Sequence, residues 1–110
     1  MQEFKFLNYQ INSQIAEIII NRPPINAFNI RLLDEILSSL ELAKNDGTVR
    51  AVLIKSNLEK IFCAGLDLDI LIDKPISKVR EFLERLYVKL WDIQYNMGKP
   101  TIAVVNGSAR

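Results

Sequence analysis

The 110-residue sequence contains no histidine and a single cysteine, Cys63. The first absence excludes histidine-based catalytic triads and histidine metal sites from this chain. The second excludes an internal disulfide. Neither sign of charge is in excess: 14 basic and 13 acidic residues leave a net charge of +1, so the electrostatic footprint of a nucleic-acid binder is missing. No apolar run approaches the roughly 18 residues of a membrane span. The opening MQEFKFLNYQ lacks the basic-then-apolar layout of a secretory signal. These features predict a cytoplasmic protein, or one in an organelle whose targeting segment lies outside the sequence. What is present, 49% hydrophobic and 25% charged residues, suits a soluble globular domain with a modest core.

Hydrophobic patterning orders the chain. Phe4 to Ile11 and Gln14 to Asn21 read as two strands around a turn at Asn12-Ser13, the second rich in β-branched residues. The prolines of NRPP, Asn21 to Pro24, stop any ladder. Asn29 is a suitable N-cap for a helix with Leu32, Leu33, Ile36, Leu37, Leu40 and Ala43 on one face, ended by Asn45-Asp46-Gly47. Ala51 to Ile54 suits a buried strand. Pro75 and Ser77 precede a second helix with Val79, Phe82, Leu83, Leu86, Leu90 and Ile93 on one side, ended by Gly98 and Pro100. Thr101 to Val105 suits a strand buried on both faces. The order ββαβ(loop)αβ is an α/β pattern with parallel crossovers. A strand buried on both faces needs a layer on each side, and two long helices cannot supply both, so the sequence reads as part of a larger unit.

The stretch FCAGLDLD, Phe62 to Asp69, sets three small residues, Cys63-Ala64-Gly65, before two carboxylates. A short helix beginning near Leu66 would expose unpaired backbone N–H groups, and the small side chains would let a ligand reach them, as a donor site for a developing oxyanion requires. Tight helix–strand packing is the commoner reason for such a stretch and explains the same residues. Cys63 has no histidine to activate it and fits a small packing residue. A carboxylate near a helix start is favourable by about 0.3–1 kcal/mol, which accounts for Asp67 without catalysis; Asp69 reads as solvated.

Four blocks decide between the readings. NRPPINAFN (Asn21 to Asn29), VRAVLIKS (Val49 to Ser56), IFCAGLDL (Ile61 to Leu68) and KPTIAVVNG (Lys99 to Gly107) follow one another at spacings that resemble the enoyl-CoA hydratase/isomerase superfamily, the crotonase family. The AGLDL form is similar to that of its Δ3,Δ2-enoyl-CoA isomerases. The resemblance implies the N-terminal part, over residues 1–110, of one crotonase-like (ClpP/crotonase) domain, a spiral of ββα units. It implies an acyl-CoA thioester as substrate, with no metal and no redox cofactor, and a homo-oligomer, trimer or hexamer, that binds neither nucleic acid nor membrane. It places one of two backbone donors to the thioester enolate at Leu66. Ala64, Gly65, Asp67, Leu68 and Asp69 are implied to line the CoA path, with Asn26 and Ala27 near its entrance, although a structural turn explains those two as well. The second donor, in a glycine-rich segment, and the catalytic glutamates are implied after Arg110. The alternative is a truncated, non-catalytic family member that acts as an association module. Arg22 and Lys60 are candidates for CoA phosphates, and Trp91, spaced four residues from Tyr87 and Tyr95, for limiting acyl size.

Overall fold

The computed structural model describes residues 4–65, 72 and 74–109. In chain order the elements are β1 (Leu7–Asn12), β2 (Ile15–Ile20), α1 (Ile30–Asn45), β3 (Ala51–Ser56), β4 (Ile61–Cys63), α2 (Ile76–Glu84), a π-helical turn (Arg85–Lys89), α3 (Leu90–Asn96), β5 (Thr101–Ala103) and β6 (Ser108–Ala109). A four-stranded sheet has the order β1-β2-β3-β5, antiparallel only between β1 and β2, and β4 pairs with β6 in a small parallel sheet. Among the described residues no helix is long and apolar enough to cross a membrane.

The hairpin closes with Asn12 opposite Ile15, and Ser13 and Gln14 take φ of 53° and 69°. Positive φ at both central positions is the type I′ geometry, whose twist matches that of the flanking strands. The turn is therefore one residue later than predicted. β1 also begins at Leu7, not Phe4, because the preceding backbone pairs with a side chain. The Glu35 carboxylate accepts from the Lys5 N–H at 2.8 Å, the Phe6 N–H at 2.7 Å and Arg31 Nε at 2.8 Å. Burial pushes the Glu35 carboxyl up, but the bonds from Lys5, Arg31 and Phe6, with the Arg31 charge, outweigh it and hold the group below the ordinary carboxylate range. A lowered folded-state value makes a stability contribution that is complete above the unfolded value of about 4.3 and lost as pH falls through the folded one. Glu35→Gln is expected to cost about 1.5–3 kcal/mol at pH 7 by urea denaturation, since it turns an amide donor on donors. The variant should also lose less stability than the wild type below about pH 4. A parallel pH dependence in the two proteins would show that Glu35 is not the linked group.

Asn29 caps α1 as expected, its side chain accepting from the Leu32 N–H at 2.8 Å. Leu32, Leu33, Ile36, Leu40 and Ala43 are buried; Leu32, Ile36, Leu40 and Ala43 cover Leu7, Ala16, Ile18, Ile20 and Val52 of the sheet together with Val49 and Met97, whereas Leu33 packs with Phe82. Each such aliphatic side chain removed from water contributes about 1.5–3 kcal/mol. The C-terminus of α1 is closed from a distance: Lys99 Nζ donates to the carbonyls of Ala43, Lys44 and Asp46, the last at 2.7 Å. A cation there also complements the helix dipole.

The second helix begins at Ile76 on a Pro75 cap, so Ser77 lies inside it rather than before it. Gly98, at φ 72°, lies just beyond α3, with which this helical run ends. Two-sided burial of residues 101–105 is not observed. The strand ends at Ala103, Ile102 is 50% exposed and Val105 58%, and no residue from 101 to 105 joins the core beneath α1; on the face opposite α1 no described element covers Ile102. Ile102 pairs with Leu53, and Leu53 with Glu17, along that uncovered side. Glu17 there accepts from Gln10 at 2.9 Å and pairs with Lys55 at 3.0 Å.

Candidate functional site

The NRPP turn and the β4 segment are stitched together by their backbones. The Ala64 N–H donates to the Ile25 carbonyl at 3.1 Å, and the Phe28 N–H to the Gly65 carbonyl at 2.7 Å. Asn26 stands at the junction, fully buried, with φ 56°, a left-handed conformation that asparagine tolerates better than most residues. Its side-chain oxygen accepts from the Arg22 N–H at 2.8 Å. Its amide nitrogen donates to Ser56 Oγ at 2.8 Å and to the Phe62 carbonyl at 3.0 Å. One side chain thus ties the turn to β3 and β4. Gly65 has φ 97°, which a Cβ would strain. Beyond it, Leu66, Asp67, Leu68 and Asp69, and with them the expected short helix, lie outside the described residues.

Cys63 is half-buried. Its thiol donates to the Asn26 carbonyl and accepts from the Gly65 N–H, each at 3.4 Å. Burial pushes the thiol above its ordinary value, against a smaller lowering by the Gly65 N–H. A raised value favours the neutral thiol, and the two hydrogen bonds suit a packing role.

Beside this segment lies a cavity of about 440 Å³ lined by Phe28, Phe62, Cys63, Gly65, Leu86, Tyr87 and Ala109. Three elements converge on it: the end of β4, the π-helical turn and β6. The β6 pairing was missed in the sequence, because two residues carry no periodicity. It depends on a close backbone approach: the Ser108 N–H donates to the Lys60 carbonyl at 3.2 Å, and a Cβ on Gly107 would collide with the Lys60 backbone. A larger cavity, about 570 Å³, is lined by Tyr9, Ser38, Glu41, Leu42, Asn45, Asp46 and Gly47 and shares no residue with the predicted site.

The structure thus brings Asn26, Ala64 and Gly65 together. Trp91 is not among the residues lining the cavity beside them. It is 61% exposed and stacks on Tyr95 with ring centroids 4.8 Å apart, while Leu86 and Tyr87 form the cavity wall in its place. Arg22 donates from Nη1 to the Ala27 carbonyl at 2.7 Å and lies over the Phe6 ring, so its guanidinium helps to hold the turn. Lys60 is exposed.

An α/β chain that stitches a proline turn to a small-residue segment beside an apolar cavity has the architecture of the crotonase fold. The structure of Pseudomonas aeruginosa DspI superposes with a TM-score of 0.89 at 25% identity, over 99% of this chain and 41% of that one. The family model for enoyl-CoA hydratase/isomerase matches residues 10–110, and the chain belongs to that family. A trans-2-decenoyl-[acyl-carrier-protein] isomerase of Streptococcus mutans is 40% identical over 67 residues, 60% of this chain and 25% of the relative. The human mitochondrial enoyl-CoA hydratase domain-containing protein 2 is 35% identical over 96 residues, 86% of this chain and 32% of the relative. The chain therefore spans between a quarter and a third of these two relatives.

Proposed function

We infer that this chain supplies the thioester-holding half of an acyl-CoA-processing site. The reaction is proton transfer at carbons beside a thioester, either isomerisation of an enoyl-CoA or hydration of its double bond. The observation that carries this reading is the apolar cavity bordered by Cys63 and Gly65. The family resemblance assigns the donor role to the backbone of Leu66, and the engagement of the Ala64 and Gly65 N–H groups by Ile25 and Cys63 is compatible with it. Ala64, Gly65, Asp67, Leu68 and Asp69 would line the CoA path. Asn26, whose side chain is enclosed, would hold that path, with Ala27 beside it. The chemistry needs no metal and no redox cofactor, and the protein would act in the cytoplasm as a trimer or hexamer.

The test uses a complete enzyme, this chain joined to the glycine-rich segment and glutamates implied beyond residue 110. There, Leu66→Pro removes one N–H and is expected to lower kcat by about 10²–10³, the usual loss for one oxyanion donor, while Leu66→Ala keeps most activity. Wild-type turnover in a Leu66→Pro enzyme with a native circular dichroism spectrum would exclude the assignment. The alternative, a non-catalytic association module, is favoured by the exposed apolar Ile102, Val104 and Val105. An inactive complete enzyme that still assembles would support it.

A further inference from the structure

We propose that the open edge of β1 docks a second copy of this chain, the two β1 strands pairing antiparallel about a two-fold axis at Gln10. The proposal does not rest on the acyl-CoA reading above.

The first observation is the direction in which the backbone of β1 points. Asn12 and Ile15 close a two-residue turn, so they form a hydrogen-bonded pair, and such pairs then alternate along the hairpin. Asn12, Gln10 and Asn8 thus bond to β2, and the Asn21 N–H continues the series onto the Phe6 carbonyl at 2.7 Å. The other side of β2 gives the same phase: the Ile20 carbonyl accepts from the Asn57 N–H at 2.8 Å and so faces β3. Leu7, Tyr9 and Ile11 therefore turn their N–H and C=O groups away from the sheet. β1 is its outermost strand, and among the described residues nothing pairs with those groups of Tyr9 and Ile11. Leu7 is buried, which closes the edge at that end, whereas Asn8, Gln10, Ile11 and Asn12 are exposed.

The second observation is that this edge is unguarded. Sheet edges are usually blunted by charged side chains, proline, a bulge or shortness. The opposite edge, β5, has only three residues. β1 has six, LNYQIN, with no charge and no proline, in unbroken register with β2.

The third observation is that the edge complements itself. An axis at Gln10 sets Tyr9 opposite the partner's Ile11, and Ile11 opposite the partner's Tyr9. Both have outward backbone groups, so the two strands exchange four N–H···O bonds, the mode of strand addition. Asn8 then faces the partner's Asn12, and Gln10 the partner's Gln10. One face of the joint becomes a ladder of side-chain amides, each donor and acceptor, with no like charges opposed. On the other face, tyrosine beside isoleucine is an aromatic–β-branched pair, which favours strand pairing. Tyr9 also lines the crevice of about 570 Å³ against α1, where Leu42 is exposed, and a second copy would cover this rim. An axis at Tyr9 would instead pair buried Leu7, and one at Ile11 would pair Ser13, which belongs to the turn. A two-fold contact makes a closed dimer and is available to a hexamer of D3 symmetry, but not to a trimer.

The experiment is sedimentation velocity on the 110-residue chain from about 10 µM to 1 mM, the range suited to a small contact. The wild type is expected to pass from monomer to dimer. Ile11→Pro removes an outward N–H that β2 does not use, so the hairpin keeps its bonds while the dimer loses half of its own. It should weaken dimerisation about tenfold or more. Directly opposed residues of a non-bonded pair have Cα atoms about 4.5 Å apart, within disulfide reach. In a Cys63→Ser background, Gln10→Cys should therefore cross-link to itself under mild oxidation. Asn8→Cys should not, because its two copies lie about 14 Å apart, but it should cross-link to Asn12→Cys when the two are mixed. A wild type that stays monomeric, or that forms open-ended aggregates, overturns the proposal. So does a dimer unaffected by Ile11→Pro, or one in which Asn8→Cys cross-links to itself as readily as Gln10→Cys; the exposed Ile102, Val104 and Val105 would then hold the copies together. Circular dichroism checks the fold of each variant. Should Ile11→Pro not fold, the cross-linking pattern decides by itself.

Discussion

Residues 1–110 assayed alone are expected to hydrate crotonyl-CoA, and to isomerise a 3-enoyl-CoA, at least about 10⁴-fold more slowly than a full-length relative. Two shortfalls multiply. The enolate of a thioester needs two donors, and our reading finds one, at Leu66. A missing oxyanion donor costs about 10²–10³ in rate, or roughly 2.7–4 kcal/mol of barrier. General acid–base help, assigned to glutamates beyond residue 110, is worth a further 10²–10⁴ or so. The sheet adds an independent reason. Ile102, Val104 and Val105 are 50%, 42% and 58% exposed, and apolar surface left in water forgoes roughly 25 cal/mol per Å² and favours association. The measurement is turnover of both substrates beside the relative at equal concentration, with the state of association read by analytical ultracentrifugation. A rate within tenfold of the relative would refute the half-site argument.

Asn26→Ala is the substitution expected to damage the fold most. It leaves the Arg22 N–H without its acceptor and the Phe62 carbonyl without its donor, while Ser56 Oγ loses one donor and keeps the Leu58 N–H. Each buried group left unsatisfied costs about 1–3 kcal/mol. The backbone at φ 56° adds roughly 1–2 kcal/mol for a residue with a Cβ and no local side-chain bond. The sum, about 3–8 kcal/mol, overlaps the roughly 5–15 kcal/mol that holds a whole domain together. Urea denaturation followed by circular dichroism should show the variant largely unfolded at 25 °C. Asn26→Gly loses the same hydrogen bonds without the backbone strain, so it should recover about 1 kcal/mol. An Asn26→Ala midpoint within error of the wild type would mean that the turn is held by its backbone bonds alone.

Where the pattern of residues was local and dense, it predicted the structure well. The α1 face from Leu32 to Ala43, its Asn29 cap and the parallel strand at Ala51 all follow from periodicity and capping chemistry acting over a few residues. The family blocks were readable for the same reason, as short contiguous runs. Errors arose where a distant group intervened. Glu35 captured the backbone of Lys5 and Phe6, so β1 starts late. Ser13 and Gln14 adopted a two-residue turn that carries no Asn-Gly signature. Thr101 to Val105 has the composition of a doubly covered strand, but burial depends on what lies above it, which composition does not reveal.

The same division runs through the site. Local chemistry required small residues from Cys63 to Gly65 and excluded histidine and disulfide chemistry from this chain. It could not show that Asn26 would reach both Ser56 and Phe62, because those partners lie 30 and 36 residues away. Nor could it assign the cavity wall: Tyr87 and Trp91 have equal standing in a regular repeat. Tertiary packing sets Leu86 and Tyr87 on the cavity wall beside β4 and leaves Trp91 stacked on Tyr95. Helical phase over one turn is a property of neighbouring residues, whereas rotation of a helix against its surroundings is a property of packing between segments far apart in the chain.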